Sequence, residues 1–193
     1  MRLSIITLGH VHTEDLEPLT KVFEHLEQLV LDVPPRDAME AHRAEFNRAV
    51  DAASADWMLV VRERETIDDA LAQEIASATA GGKAWGFRIQ SLAIYAGKPL
   101  RIPRNDLELR LFHRRHLLRR GDVAVQGTVV RLTHPLRSIT FASAEEHRDD
   151  LAKNSAKRSM PSRVLMFVRY FLGARTFDAN TLRYLWIEAG FQI

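Results

Sequence analysis

The chain has 193 residues with a formal net charge of +2; 46% of the residues are hydrophobic, 27% are charged and none is cysteine. A chain of this length can bury about 70% of its unfolded surface, so one substantial core is expected, without disulfides, thiolate–zinc sites, iron–sulfur clusters or cysteine nucleophiles. No apolar run reaches the roughly 18 residues of a membrane span, and no signal-peptide pattern opens the chain, which predicts a cytoplasmic globular protein.

The first third of the sequence alternates apolar strands with amphipathic helices. Residues 2–8 form a β-branched apolar run that ends at Gly9, which predicts a buried strand. A helix is expected to begin near Thr13, since leucines and a phenylalanine then recur at helical spacing up to Leu26. A second, short strand is predicted over residues 29–31, where it is stopped by prolines.

The pattern then repeats twice. Asp37 can cap a helix that extends to about residue 54, and residues 57–61 form a third apolar strand. A further helix is predicted over residues 67–78, ending before a pair of glycines. Strands that alternate with helices are typical of βαβ units, so we expect a parallel sheet covered on both faces.

From Lys83 onward the pattern changes. Residues 84–93, 107–113 and 123–132 are predicted strands with few helices between them, which favours an antiparallel or mixed addition to the sheet. Helices are predicted at about 143–158, 162–173 and 178–189. The sequence therefore indicates one α/β domain over residues 1–142, with a C-terminal helical extension over residues 143–193 packed on it.

Charged residues cluster where the second and third strands end. In open parallel sheets ligands bind beyond the carboxyl ends of the strands, so Asp32 could accept a hydrogen bond from a base or a ribose. Arg62 and Arg64 are two residues apart, so on an extended chain both side chains would point to the same side. Two guanidinium groups placed there could hold a diphosphate. The alternative is an exposed strand end whose charges pair with one another.

Several segments in order resemble parts of family 2 glycosyltransferases. The likeness includes an Asn-x-Ala helix before an Asp-Trp strand, an aromatic–Arg strand, a Gly-Lys-x-Leu turn and an Arg-Leu-Phe strand. These segments are residues 42–49, 55–61, 85–89, 95–100, 108–114 and 132–143. The resemblance is closest to the lipopolysaccharide-core and lipid-linked-sugar branch and covers most of residues 1–175. It implies a nucleotide-diphospho-sugar transferase (GT-A) fold, which has three layers, a mixed, mainly parallel sheet and C-terminal helices.

The resemblance also implies a function, with one departure from the family. The family's third strand ends in Asp-x-Asp-Glu, which holds a divalent metal on a nucleotide sugar; here the matching residues are Arg62, Glu63, Arg64 and Glu65. Arginine cannot ligate a cation, so no metal is expected and Glu65 is the surviving acidic, catalytic candidate. The family's His-Glu pair is also absent near Gly127.

Two functions follow from this resemblance. The first is metal-independent glycosyl transfer from a UDP-type nucleotide sugar to a glycan or lipid-linked acceptor in cell-envelope polysaccharide or lipopolysaccharide assembly. In that case the two arginines would replace the metal charge. The second is a non-catalytic module that binds a nucleotide, a glycan or a protein on the same fold, and the missing base favours it.

Three other features have simpler explanations beside functional ones. His10 and His12 could share a metal after the first strand, although exposed loop histidines are commoner. Residues 98–193 carry 18 Lys and Arg against 9 Asp and Glu, with a basic stretch over 101–120 that could face nucleic acid, although a solvated face explains it better. The apolar stretch 161–175 predicts a core or oligomer-interface helix, with peripheral binding to an anionic membrane as the alternative.

Overall fold

A computed structural model describes residues 1–32, 42–100, 107–118, 123–154 and 178–188. The chain divides into two compact units, Met1–Ser91 with Asp106–Arg137, and Leu92–Asn105 with Ser138–Ile193. The expected boundary after residue 142 stays a prediction.

Eleven strands and five α-helices lie in the described part of the chain. In chain order the strands are β1 (Arg2–Leu8), β2 (His25–Leu31), β3 (Trp57–Arg62), β4 (Glu65–Thr66), β5 (Gly86–Tyr95), β6 (Lys98–Pro99), β7 (Leu107–His113), β8 (Leu117–Leu118), β9 (Ala124–Val125), β10 (Val129–Arg131) and β11 (Leu136–Phe141). The helices are α1 (Glu17–Thr20), α2 (Arg43–Ala52), α3 (Asp69–Ala80), α4 (Ala144–Asn154) and α5 (Ala179–Glu188), with short 3-10 helices at Thr13–Leu16 and Arg114–His116.

The first unit is built on three parallel strands in the order β2-β1-β3. β1 pairs in parallel with β2 over its whole length, from Arg2 opposite His25 to Leu8 opposite Leu31, and with β3 on its other side. Every residue of β1 after Arg2 is buried, as is typical of a parallel strand covered on both faces. The predicted parallel core of three strands is therefore confirmed.

Beyond β3 the sheet continues with antiparallel strands. β7 is antiparallel to β3 and β5 is antiparallel to β7, with a bulge between Phe87 and Arg88. β10 pairs with β5 in parallel. The protein is thus α/β with a mixed sheet, and the expected change of pattern after Lys83 is confirmed.

Helices cover both faces of the parallel strands, as predicted. One face is covered by Leu16 of the 3-10 helix, Leu19 of α1 and Leu71 of α3. These side chains pack on the odd-numbered residues of β1 and β3. On the other face, Phe46 and Val50 of α2 pack on the even-numbered residues. Asp68 caps α3 by accepting a hydrogen bond from the Leu71 N–H at 2.9 Å.

Three predicted elements differ from the structure. The helix expected from Thr13 to Leu26 ends at Thr20, and β2 begins at His25 because its whole length pairs with β1. The strand predicted over 123–132 is broken into β9 and β10 around Gly127, whose φ is +116°. β11 was not predicted as a strand. The expected helix start at Asp37 and the helix at 162–173 lie outside the described residues.

Aromatic side chains fill the core of the second unit. His147 is fully buried and stacks on Phe141 and Tyr184, with ring centroids 4.3 and 5.1 Å away. Tyr95 packs edge-on against Tyr184, and burial raises the pKa of its phenol. Asn180 joins α5 to this core by donating to the Tyr95 carbonyl at 3.0 Å. Ring stacking therefore fixes α4 and α5 within this unit.

One buried hydroxyl in the first unit is expected to lower stability. Thr7 of β1 is 0% exposed, and its Oγ1 has no hydrogen-bond partner within the described residues. Thr7→Val keeps the shape and removes the unsatisfied group, so we expect the free energy of unfolding to rise by about 1 kcal/mol in urea titrations. The matched control is Ser4→Ala on the same strand. The Ser4 hydroxyl donates to Glu27 at 2.7 Å and accepts from Ala55 N–H at 3.1 Å, so this variant should be less stable than the wild type.

Candidate functional site

The carboxyl ends of the three parallel strands are held together by backbone hydrogen bonds. Gly9 N–H donates to the Leu31 carbonyl at 2.9 Å, and Glu63 N–H donates to the Leu8 carbonyl at 2.8 Å. Gly9 has a φ of +80°, and a Cβ there would lie 3.1 Å from the Cβ of Glu63. Glycine is thus required both by the backbone conformation and by the close approach of the strand ends.

Arg62 does not offer its guanidinium group to a ligand. Its Nη1 and Nη2 donate to the two carboxylate oxygens of Glu108 at 3.1 and 2.7 Å. Residue 62 is at the end of β3, and the antiparallel register of β3 with β7 continues to Glu108 as its direct cross-strand neighbour. This bidentate pair fixes both side chains. It also occupies the guanidinium N–H groups that would otherwise donate to a phosphate.

Glu65 belongs to the same set of charges and is buried. Glu65 is 2% exposed and Arg110 is 1% exposed. The two form an ion pair, with Nη2 of Arg110 3.0 Å from Oε1 of Glu65. Glu65 also accepts from the backbone N–H of Arg62 at 2.8 Å and from the Ser91 hydroxyl at 3.3 Å. A carboxylate with these partners is a structural anion rather than an accessible catalytic base.

Arg110 connects the two pairs. Its Nε lies 3.1 Å from Oε2 of Glu108, so Arg62, Glu108, Arg110 and Glu65 form one continuous chain of alternating charges, hereafter the ion-pair network. Burial lowers the pKa of Arg110, and the neighbouring Glu65 carboxylate opposes that shift. The guanidinium stays charged, and the network contains equal numbers of positive and negative groups.

Arg64 lies on a turn and not on an extended strand. Residues 63 and 64 connect β3 to β4, and Arg64 has a φ of +64°. The expectation that Arg62 and Arg64 alternate along an extended chain and point to the same side is therefore wrong, because a turn with a positive φ at Arg64 interrupts the extended chain. The geometry of a two-arginine diphosphate clamp is not formed by this segment.

Asp32 lies beside a groove between the sheet edge and a helix. The groove has a volume of about 580 Å³ and is open to solvent on one side. Its walls are the end of β2 and one flank of α2, and its lining residues are Leu29, Val30, Leu31, Asp32, His42, Glu45, Arg48, Ala49 and Ala52. Arg62, Arg64 and Glu65 are not among them. The structure thus separates the nucleoside candidate from the other three predicted site residues.

The rim of the groove carries charges of both signs above an apolar floor. The Arg48 side chain is 76% exposed and its Nη2 lies 3.2 Å from the Glu45 carboxylate, a pair that solvent screens. Leucine and alanine side chains from β2 and α2 form the floor. A concave site of this size with an apolar floor and a few charged groups suits a small amphipathic ligand.

The remaining sequence candidates have local partners. The His10 and His12 rings meet edge-to-face at 4.9 Å on the surface, and no cluster of three metal-binding side chains occurs among the described residues. In the basic stretch, Arg114 donates to the Ala53 carbonyl, Arg115 lies 3.4 Å from Asp56, and the His116 ring stacks on Trp85. Nucleic-acid binding stays the disfavoured alternative for this stretch, and nothing here tests it.

The segment 161–175, predicted to reach a membrane or a partner, lies outside the described residues. Within the described ranges, no helix has the length and apolar character needed to cross a membrane.

Sequence reasoning missed the partners that decide what the predicted residues do. Glu108 and Arg110 alternate with leucines in β7, and a charged residue inside an apolar strand is a signal for a buried ion pair. Arg48 and Glu45 were recognised only as part of a family-like helix.

Comparison with known proteins gives no match: no protein-family model and no curated protein matches this sequence. The resemblance to family 2 glycosyltransferases therefore stays a hypothesis that rests on the quoted segments.

Proposed function

We propose that this chain is a non-catalytic relative of nucleotide-sugar glycosyltransferases that binds a UDP-type nucleotide without a metal. The observation that carries the proposal is the ion-pair network. It includes Arg62 and Glu65, which match the first and last positions of the resembled family's Asp-x-Asp-Glu motif, and its charges cancel one another. Neither a divalent cation nor a diphosphate gains from a neutral, internally paired set of groups.

The groove beside Asp32 supports the binding half of the proposal. The Asp32 carboxylate can accept hydrogen bonds from a nucleobase N–H or from ribose hydroxyl groups, and Arg48 can pair with a phosphate. The apolar floor can carry the face of a pyrimidine ring. Arg48 already pairs with Glu45 and is the one arginine or lysine among the described lining residues, so the expected affinity is modest, in the micromolar range.

Metal-independent glycosyl transfer is the competing function, and it requires Arg62 to stabilise the diphosphate leaving group. The geometry disfavours it, since the Arg62 fork is already bound to both oxygens of Glu108. The resemblance would make cell-envelope polysaccharide assembly the setting for either function.

Titration calorimetry with UDP and UDP-sugars, with and without Mn²⁺, tests the proposal. We expect micromolar binding that is the same with and without the metal, and no release of UDP from UDP-sugars on prolonged incubation. Asp32→Asn and Arg48→Gln should each weaken UDP binding about 10-fold or more, because each removes the charge from a charge-assisted contact with the nucleotide.

Arg43→Gln is the matched control, since Arg43 is exposed on the same helix but does not line the groove. It should leave UDP binding unchanged. Absence of UDP binding, a requirement for Mn²⁺, or steady UDP release would each overturn the proposed function.

A further inference from the structure

An unprotected sheet edge runs along β2. Among the described residues β2 pairs with β1 alone, through seven consecutive residues with no shift of register. The outer side of such a strand presents backbone N–H and C=O groups that can pair with another strand. At about 3.3 Å per residue, this edge offers a ladder of about 23 Å.

β2 lacks three of the features that commonly protect an edge, namely exposed basic residues, proline and a bulge. Residues 25–31 contain no lysine, arginine or proline, and the strand has no bulge. Val30 is 61% exposed, the highest value among the exposed large hydrophobic side chains of the described chain. Among the described residues, the other strands that pair on one side only are shorter: β4, β6, β8 and β9 have two residues each, and β10 has three and ends in Arg131.

The one acidic residue of β2 does not repel a second strand. The Glu27 carboxylate turns back into its own unit, where it accepts hydrogen bonds from the Ser4 hydroxyl and from the backbone N–H and hydroxyl of Ser54, at 2.7, 2.7 and 3.0 Å. Burial alone would raise its pKa, but these hydrogen bonds outweigh it and lower the pKa. The carboxylate is therefore charged and internally satisfied.

We propose that β2 pairs with β2 of a second copy of this chain, antiparallel about a two-fold axis at Gln28, to form a homodimer with a continuous sheet. The strand is self-complementary in this register: Leu26 faces Val30 of the other copy, Glu27 faces Leu29, and His25 faces Leu31. No like charges are opposed, and the exposed Val30 side chain is covered twice, once on each side of the axis. The seven-residue ladder is smaller than a standard interface, so micromolar association is expected.

Sedimentation equilibrium over a broad concentration range gives the first test. The wild type should pass from monomer to dimer, and Val30→Lys should stay monomeric, because it places a charge on the paired edge. Val130→Lys changes an equally apolar exposed valine on β10 and should dimerise like the wild type. Circular dichroism should show that both variants are folded. A monomeric wild type at every concentration, or loss of the dimer in Val130→Lys alone, would overturn the proposal.

Crosslinking tests the register. Since the chain has no cysteine, a single introduced thiol gives an unambiguous readout. The axis brings the two copies of residue 28 directly opposite, at a Cα separation of about 4.5–5.5 Å that a disulfide can span. Gln28→Cys should therefore form a covalent dimer under mild oxidation, and Val30→Cys, which faces Leu26, should form far less. The reverse order would refute the two-fold axis at Gln28. Leu29, Val30 and Leu31 belong both to this edge and to the groove proposed for UDP, so dimerisation is measured without UDP, and a monomeric result leaves the UDP-binding result unchanged.

Discussion

Replacing Arg110 with methionine is expected to lower the free energy of unfolding by about 3–5 kcal/mol, because it leaves the Glu65 carboxylate buried without its counter-charge. Both members of this pair are almost fully buried, and the Arg110 guanidinium also contacts Glu108 on the same strand. A domain of this size typically has about 5–15 kcal/mol of total stability, so the loss would be large. Urea unfolding followed by tryptophan fluorescence measures it.

A double variant separates the pair from simple loss of packing. Glu65→Leu combined with Arg110→Met removes both charges and should recover part of the lost stability, since apolar groups can replace a buried ion pair with little penalty. Glu108→Gln is the milder comparison, because the Glu108 side chain is partly exposed and solvent screens its charge. If Arg110→Met and Glu108→Gln lose the same stability, burial is not the cause.

Gly127→Ala should destabilise the first unit by about 2–5 kcal/mol, through backbone strain and overpacking together. Gly127 has a φ of +116°, and a Cβ there would lie 2.5 Å from Cδ1 of Trp85. Trp85 is itself stacked on His116, with ring centroids 3.9 Å apart, so the indole cannot move aside without breaking that contact. The measurement is the shift of the urea midpoint at constant slope.

Gly82→Ala is the matched control for this substitution. Gly82 also has a positive φ, +61°, but nothing lies within 4 Å of a Cβ at that position. It should lose only the backbone term, about 1–2 kcal/mol. Equal losses in the two variants would show that contact with Trp85 contributes nothing.

Local patterns in the sequence were sufficient to predict the parallel core. The apolar runs of β1 and β3 and the helical spacing of α3 are properties of neighbouring residues, and the structure has these elements within a few positions. β2 was predicted too short, because its first four residues contain His25, Glu27 and Gln28 and do not form an apolar run. Pairing along the whole of β1 extends the strand beyond what its own composition favours.

The candidate site was harder to predict, since it depends on contacts distant in sequence. Arg62 was expected to act with Arg64, two residues away, but its partner is Glu108, 46 residues away. That pairing follows from the antiparallel register of β3 and β7, which no local pattern encodes. The turn at Arg64 was also missed, because it lacks the glycine or asparagine that usually marks a positive φ.

Asp32 was placed at the end of a strand and lines a groove there, as its position after β2 suggested. The other wall of that groove comes from α2. Which flank of a helix faces the edge of a sheet is decided by packing of residues such as Phe46 and Val50, so Arg48 could not be assigned from spacing alone.

The ion-pair network opposes a carboxylate at position 62. An aspartate at position 62 would lie near the Glu108 carboxylate and repel it. It would also remove one of the two positive charges that balance Glu65 and Glu108 in the network. A strand end with carboxylates at this position would therefore require coordinated substitutions on β3 and β7. Among divergent relatives, positions 62 and 108 should change together, from opposite charges here to other combinations that avoid repulsion.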